Sequence, residues 1–153
     1  MSTVFLAGAS RGVGLEIATR LAAQSIPSIA FLRRPQPEIE ALGLDVQLGD
    51  AMNPDQVAAA MAGHPIETVI STIGGTSAEG VRSDFVGNRN LIDASVHIGV
   101  KHFILVTYLG TGDSSIALPE SALQALGAVL KEKAIELSPV PREVTKMKCF
   151  TPI

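Results

Sequence analysis

Residues 4–14, VFLAGASRGVG, constrain the fold more than any other stretch: an apolar run enters a turn carrying Gly8, Gly12 and Gly14, and an amphipathic segment follows. Val4, Phe5, Leu6 and Ala7 suit a strand buried on both faces, and Leu15, Ile17, Ala18 and Leu21 recur with a helical period. A turn between two such elements aims free backbone N–H groups and the positive end of a helix dipole at an anion. A dinucleotide pyrophosphate is the obvious candidate. Gly8 lets the chain leave the strand where a Cβ would obstruct it, Gly12 admits a close approach of backbone to the phosphates, and Gly14 lets the helix pack against the sheet. The spacing is Gly-x-x-x-Gly-x-Gly, not the commoner Gly-x-Gly-x-x-Gly. In a chain with 14 glycines it also fits a plain strand-helix connection. Its place in the first strand-helix unit favours the phosphate.

The rest of the chain repeats this alternation. Ser28–Leu32 reads as a second strand, followed by Pro35 and Pro37 and a short helical turn over residues 38–42. Asp45–Leu48 reads as a third strand. Asn53 is placed to cap a helix whose first position is Pro54 and which runs to Met61, ending at Gly63. Residues 68–73 read as a fourth strand closed by Gly74 and Gly75, residues 81–98 as a longer helix with Phe85, Leu91, Ile92 and Val96 inward, and residues 103–107 as a fifth strand. A Gly/Ser loop over residues 110–115 then leads to a helix starting near Pro119. Strands alternating with helices predict an α/β fold, a doubly wound parallel sheet. Ligand is expected where strands one and four lie side by side, over residues 8–13 on one side and residues 71–75 on the other.

Composition narrows the classes. At 153 residues the chain is one domain, short for a dinucleotide enzyme with its own substrate lobe. Its formal net charge of −3 gives no basic footprint for nucleic acid. No apolar run reaches the ~18 residues needed to cross a bilayer, and Met1 and Ser2 lead directly into the first strand, so no membrane association and a cytoplasmic location are expected. Cys149 is the single cysteine, and His64, His97 and His102 are scattered without ligand spacing, so neither disulfides nor a metal site is expected.

The nucleotide is read at the end of the second strand. A site for NAD(H) usually places Asp or Glu roughly 20 residues beyond the glycines, to bond the ribose hydroxyls. Here that place holds Arg33 and Arg34, whose guanidinium forks suit a 2′-phosphate, and Arg11 in the glycine turn is able to approach the same group. NADP(H) is therefore favoured over NAD(H). Asp50, in LGDAMNPDQV, either accepts from the adenine amino group, with Ala51 and Met52 against the ring, or satisfies local backbone N–H groups. Ser71, Thr72 and Ile73 pass beneath the adenosine ribose, with Gly74 following.

Taken together, LAGASRGVG, the arginine pair, LGDAMNPDQVAAAM, VISTIGG, VGNRNLIDASVHIGVKHFILVTYLG and the segment with Lys131 and Lys133 resemble the atypical short-chain dehydrogenase/reductase superfamily. Within it the likeness is to the NmrA-like and biliverdin/flavin reductase-like branch, over about residues 3–137. The resemblance implies a Rossmann fold with Gly8, Ser10, Arg11, Gly12, Val13 and Gly14 at the cofactor. It also places Asn88 and Asn90 on the helix that borders the cofactor, with one side chain bracing the loop after strand four, or exposed as a plain polar pair.

Chemistry is read from the same resemblance. Carbonyl-reducing members use Tyr-x-x-x-Lys, in which the lysine lowers the tyrosine pKa and the phenol delivers a proton. Four positions before Lys131 is Gly127, and before Lys133 is Val129, so that acid is missing. Thr107 and Tyr108, after the fifth strand, are the best proton-donor or carbonyl-polarising candidates, and Lys133 resembles the family lysine better than Lys131. Reduction of a flavin or another conjugated ring tolerates the missing tyrosine, because solvent serves as proton source.

The tail departs from the family. Residues 1–137 are expected to form the nucleotide-binding domain and residues 138–153, SPVPREVTKMKCFTPI, a short atypical tail with no separate substrate domain. Pro139 and Pro141 break the helix, and Val144, Met147, Cys149 and Phe150 add at most one short strand. Two functional readings follow: an NADP(H)-dependent reductase of a small planar or carbonyl acceptor, or a non-catalytic NADP(H)-binding redox sensor with a regulatory protein partner. An inactive fragment is a third.

Overall fold

Alternation along the strands builds two cores, one on each face of a single sheet. In this computed structural model, which describes residues 2–74, 83–106 and 136–140, β1 (Thr3–Ala7) sends Phe5 and Ala7 to one face and Leu6 to the other. β2 (Ser28–Leu32) divides the same way, Ile29 and Phe31 against Ala30 and Leu32. This period of two is what a pleated strand imposes. All five residues of β2 are buried, as a strand covered on both sides requires.

The helices divide between the faces. α1 (Gly12–Ala23) and the short α2 (Pro37–Glu40) cover the Leu6 face, bringing Ala18, Leu21 and Ile39. α3 (Pro54–Met61) and α4 (Ser83–Ile98) cover the other, bringing Val57, Ala60, Met61, Leu91 and Ile92 against Phe5, Phe31, Val69 and Phe103. The rings of Phe5 and Phe31 lie 5.4 Å apart between centroids, tilted by 32°. Helices on both faces of one sheet are the doubly wound arrangement that the sequence predicts.

Among the described residues the sheet has six strands, all parallel, in the order β3-β2-β1-β4-β5-β6. β3 (Asp45–Leu48) is one edge, exposed at both ends. β2 and β3 have the bounds expected of them, and α3 starts at Pro54 behind Asn53. β4 (Ile66–Ser71) is displaced two residues towards the N-terminus from its expected span. Ile66 is buried and pairs with Thr3, whereas Thr72 and Ile73, β-branched and strand-like in sequence, have already left the ladder for the adjoining loop. β5 (His102–Val106) is shifted by one residue.

β6 (Glu136–Val140) was not expected where it is. It pairs with β5 from His102↔Glu136 to Val106↔Val140, across the boundary where the tail was expected to begin and through Pro139, read in sequence as a breaker. An edge strand tolerates proline because only one side of it must supply ladder hydrogen bonds. The loop expected over residues 110–115 and the helix near Pro119 lie outside the described residues, as do Val81 and the tail positions Val144, Met147, Cys149 and Phe150. Among the described residues no helix is long and apolar enough to cross a membrane.

Candidate functional site

Parallel strands deliver their C-terminal ends to one edge, so Gly8, Arg33, Gly49 and Thr72, each following its strand, share a rim of the molecule. The strand order reverses between β1 and β4. β1 runs beside β2 on one flank and β4 on the other, which opens a crevice at their ends.

Two glycines and a threonine close the floor of that crevice. Gly8 has φ +90°, and a Cβ there would collide with Thr72 Oγ1 and stand 3.2 Å from Ile73 N. A Cβ on Gly14 would run into the Gly8 carbonyl and come within 2.8 Å of the same Thr72 oxygen. Side chains are thus excluded by close approach, and at Gly8 by backbone conformation as well. Thr72 occupies the space they leave. Its N–H donates to Ala7 O at 3.0 Å and its hydroxyl to Gly8 O at 2.9 Å. Its hydroxyl is therefore spent on the fold.

The opening of α1 faces outward from this floor. Arg11, at the N-cap, has extended backbone and makes no side-chain cap, and no carboxylate occupies the first turn. The first N–H groups of a helix have no intrahelical partner, so this end is open to an external acceptor. Ser10, Arg11, Gly12 and Val13 are exposed, and a Cβ on Gly12 would meet no atom within 4 Å. A diphosphate fits such a cradle on chemical grounds.

The basic residues stand beside it. Arg33 and Arg34 leave β2 at the rim next to the glycine turn, both exposed. Among the described residues, neither they nor Arg11 pair with a carboxylate. Adjoining them, the loop after β3 is shaped by its own side chains: Asp50 Oδ1 accepts from Met52 N at 2.9 Å, and Asp50 N donates to Gln56 Oε1 at 2.8 Å. One carboxylate oxygen of Asp50 is thus held by local backbone, as one of the two sequence readings had it. Ala51 is buried in the core, and Met52 is half-buried beside it.

α4 braces the loops from behind. Ser71 is wholly buried and donates its hydroxyl to Asn88 Oδ1, while Ile73 N donates back to Ser71 Oγ at 3.3 Å. Asn88 in turn donates to the carbonyls of Ile73, at 3.4 Å, and Asp84. Asn90 donates to Ala51 O at 2.9 Å. Both asparagines therefore brace loops, not only the single one that the resemblance implied. Ser71 is behind the rim rather than on it, whereas Gly74 is exposed.

Thr107, Tyr108 and Lys133 lie outside the described residues. Val106, the last residue of β5, reaches the same rim. Elsewhere, Glu67 accepts from Lys101 Nζ at the far edge of the sheet, and this bond, with a second from Ser2, holds its carboxyl below the ordinary 4.5. A depression of 290 Å³ between α1 and the loop after α2, lined by Ala22, Ser25, Ile26, Pro27, Leu42 and Leu44 among others, also lies at that far edge and carries no charge. Among the described residues no group of three or more His, Cys, Asp or Glu is placed to hold a metal ion.

Comparison with known proteins agrees with this geometry. Residues 8–138 match the model of a family described as NAD(P)H-binding. The chain is 31% identical to 2-alkyl-3-oxoalkanoate reductase of Shewanella oneidensis over 126 residues, which cover 76% of this chain and 32% of that one. It is 29% identical to Protein TIC 62, chloroplastic, of Pisum sativum over 173 residues, covering 94% and 32%. The chain spans about a third of the length of these curated relatives. Among solved structures, ChuY, an anaerobillin reductase from Escherichia coli O157:H7, superposes with a TM-score of 0.68 at 31% identity, over 90% of this chain and 71% of its own. UDP-glucose 4-epimerase from Brucella ovis in complex with NAD gives 0.75 at 15% identity, over 92% and 51%, a likeness of fold alone.

Proposed function

The chain belongs to the NAD(P)H-binding family, among the atypical short-chain dehydrogenase/reductase, NmrA-like Rossmann proteins, and from that premise we propose that it is an NADP(H)-dependent reductase of a small planar or carbonyl acceptor. The observation that carries the proposal is the uncapped, carboxylate-free start of α1 beside three exposed arginines that, among the described residues, pair with no carboxylate. In this reading, Gly8, Ser10, Arg11, Gly12, Val13 and Gly14 hold the pyrophosphate. Arg33 and Arg34 hold the 2′-phosphate, Asp50 and Met52 flank the adenine with the buried Ala51 offering backbone alone, and residues 71–74 run under the ribose. Two of the proteins it resembles are named as reductases, which supports the reaction class.

When bound, the nicotinamide supplies a hydride from C4. The chain's own part is to bind, to orient and to manage the proton. Thr107 or Tyr108 polarises the acceptor or donates the proton, with Lys133 as the counterpart of the family lysine, and solvent serves where the acceptor is a conjugated ring. With Gly127 and Val129 at the two positions where a tyrosine would precede a lysine by four, a non-catalytic NADP(H)-binding redox sensor with a regulatory protein partner is the second reading.

Two measurements test this. Replacing both Arg33 and Arg34 by Ala is expected to weaken NADPH binding about 10- to 100-fold in titration calorimetry, from the loss of charge-assisted bonds worth roughly 1.5–3 kcal/mol, while NADH binding is unchanged. Equal losses for the two coenzymes overturn the 2′-phosphate assignment. NADPH oxidation with flavin or quinone acceptors separates enzyme from sensor: tight NADPH binding without turnover selects the sensor.

A further inference from the structure

Near Gly87, α4 reaches two loops at once. A Cβ on Gly87 would stand 3.3 Å from the Ala51 side chain and 3.6 Å from that of Ile73, so the helix lies between the loop after β3 and the loop after β4. The next residue and the third beyond Gly87 take one loop each. Asn90 holds the β3 loop through Ala51 O, and Asn88, 2% exposed, holds the β4 loop through Ser71 and Ile73.

Both polar atoms of the Asn88 side chain are engaged. Its Oδ1 accepts from Ser71, and its Nδ2 donates to Asp84 O and Ile73 O. An amide is the one small side chain that offers an acceptor and two donors together. With the Ile73 carbonyl drawn to α4 and its N–H on Ser71 Oγ, planarity of the trans peptide turns the N–H of the exposed Gly74 away from the helix. A donor at the β4 rim is fixed by a side chain that never reaches the rim.

Resting on the nucleotide-binding reading above, we propose that α4 is the positioning helix of the cleft and that its two asparagines govern different parts of the ligand. Asn90 sets the β3 loop on the adenosine side, and Asn88 sets the β4 loop at the crossing towards the other half of the dinucleotide. A dinucleotide laid across the point where strand order reverses meets these two loops in succession.

The test compares NADPH with adenosine 2′,5′-bisphosphate, which lacks the nicotinamide half, by calorimetry on the full chain. Asn88→Asp keeps the acceptor for Ser71 and removes both donors. It is expected to weaken NADPH about tenfold and the fragment, which meets this loop at its ribose alone, by about threefold or less. Asn90→Ala is expected to weaken both ligands by the same factor. If Asn88→Asp fails to fold, Ser71→Ala, which frees the Ile73 N–H from the other end of the network, is read with the same expectation. Uniform loss of both ligands in the Asn88 or Ser71 variant, or no loss in either, overturns the inference while leaving the nucleotide reading intact. A wild-type chain that binds neither ligand overturns both.

Discussion

The N-termini of α1 and α3 present the same backbone chemistry and treat it in opposite ways. At α3, Asn53 Oδ1 accepts from Asp55 N at 3.0 Å and Gln56 N at 3.2 Å, Pro54 occupies the first turn without a donor to satisfy, and Asp55 adds a carboxylate to the dipole. Gln56 also reaches back to Asp50 N. At α1 none of this is present: Arg11 makes no cap, the first turn has no acid, and two of its first three residues are glycine. A capped helix end contributes about 1 kcal/mol that an uncapped end forgoes. The chain thus satisfies one helix end internally and leaves the other open, which in the proposed reading is where the diphosphate sits. That contrast distinguishes the two helix ends more sharply than exposure does.

The strongest way to break the contrast is at the contact that aims α1. Gly14→Ala drives a methyl group into the Gly8 carbonyl and crowds Thr72 Oγ1. The helix must move off the sheet, since backbone cannot rotate out of the way as a side chain can. We expect destabilisation of about 3 kcal/mol in urea denaturation and no measurable NADPH binding. Wild-type affinity in this variant would mean that the position of α1 over the β1–β4 crevice does not matter to the ligand.

A second substitution sharpens the contrast by making α1 resemble α3. Arg11 has the extended backbone of an N-cap residue, so Arg11→Asp supplies an acceptor to the open N–H groups and a charge that suits the dipole. Stability is expected to rise by about 1 kcal/mol while NADPH affinity falls at least about tenfold, because the new carboxylate competes with the diphosphate for the same donors. Denaturation midpoint and calorimetry should therefore move in opposite directions. If both rise together, the end of α1 is not the anion site.

Local chemistry explains which features were legible in sequence. The strands β2 and β3 and the capped start of α3 depend on neighbours within a few positions, such as Asn53 beside Pro54, and their bounds follow from the residues themselves. The glycines of the first turn are visible too, but not the reason that two of them share. Gly8 and Gly14 both yield to Thr72, a partner 64 positions from Gly8 that only strand pairing brings near. Likewise Ser71 and Asn88, 17 residues apart, form a buried pair that no spacing rule displays. Thr72 and Ile73 look like strand because β-branched residues favour strands, yet the paired register ends at Ser71, where the Thr72 hydroxyl turns to Gly8 O and Ile73 bonds to Ser71 and Asn88 instead. Pro139 misleads for a different reason: a breaker inside a sheet is permitted at its edge, and sequence does not mark which strand is the edge.

The smallest expected effect tests the other half of the contrast. Asn53→Ala removes the acceptor for two N–H groups at α3 and leaves Pro54, Asp55 and the Gln56–Asp50 bond in place. Those donors are exposed enough for water to replace the lost bond, so the change is expected to lower stability by about 1 kcal/mol and no more. NADPH affinity should stay unchanged, because the side chain of Asn53 bonds into α3 and not towards the crevice. A large loss of affinity here would mean that the β3 loop is held by α3 as firmly as by Asn90, and the division between a stabilising and a binding helix end would then fail at α3 rather than at α1.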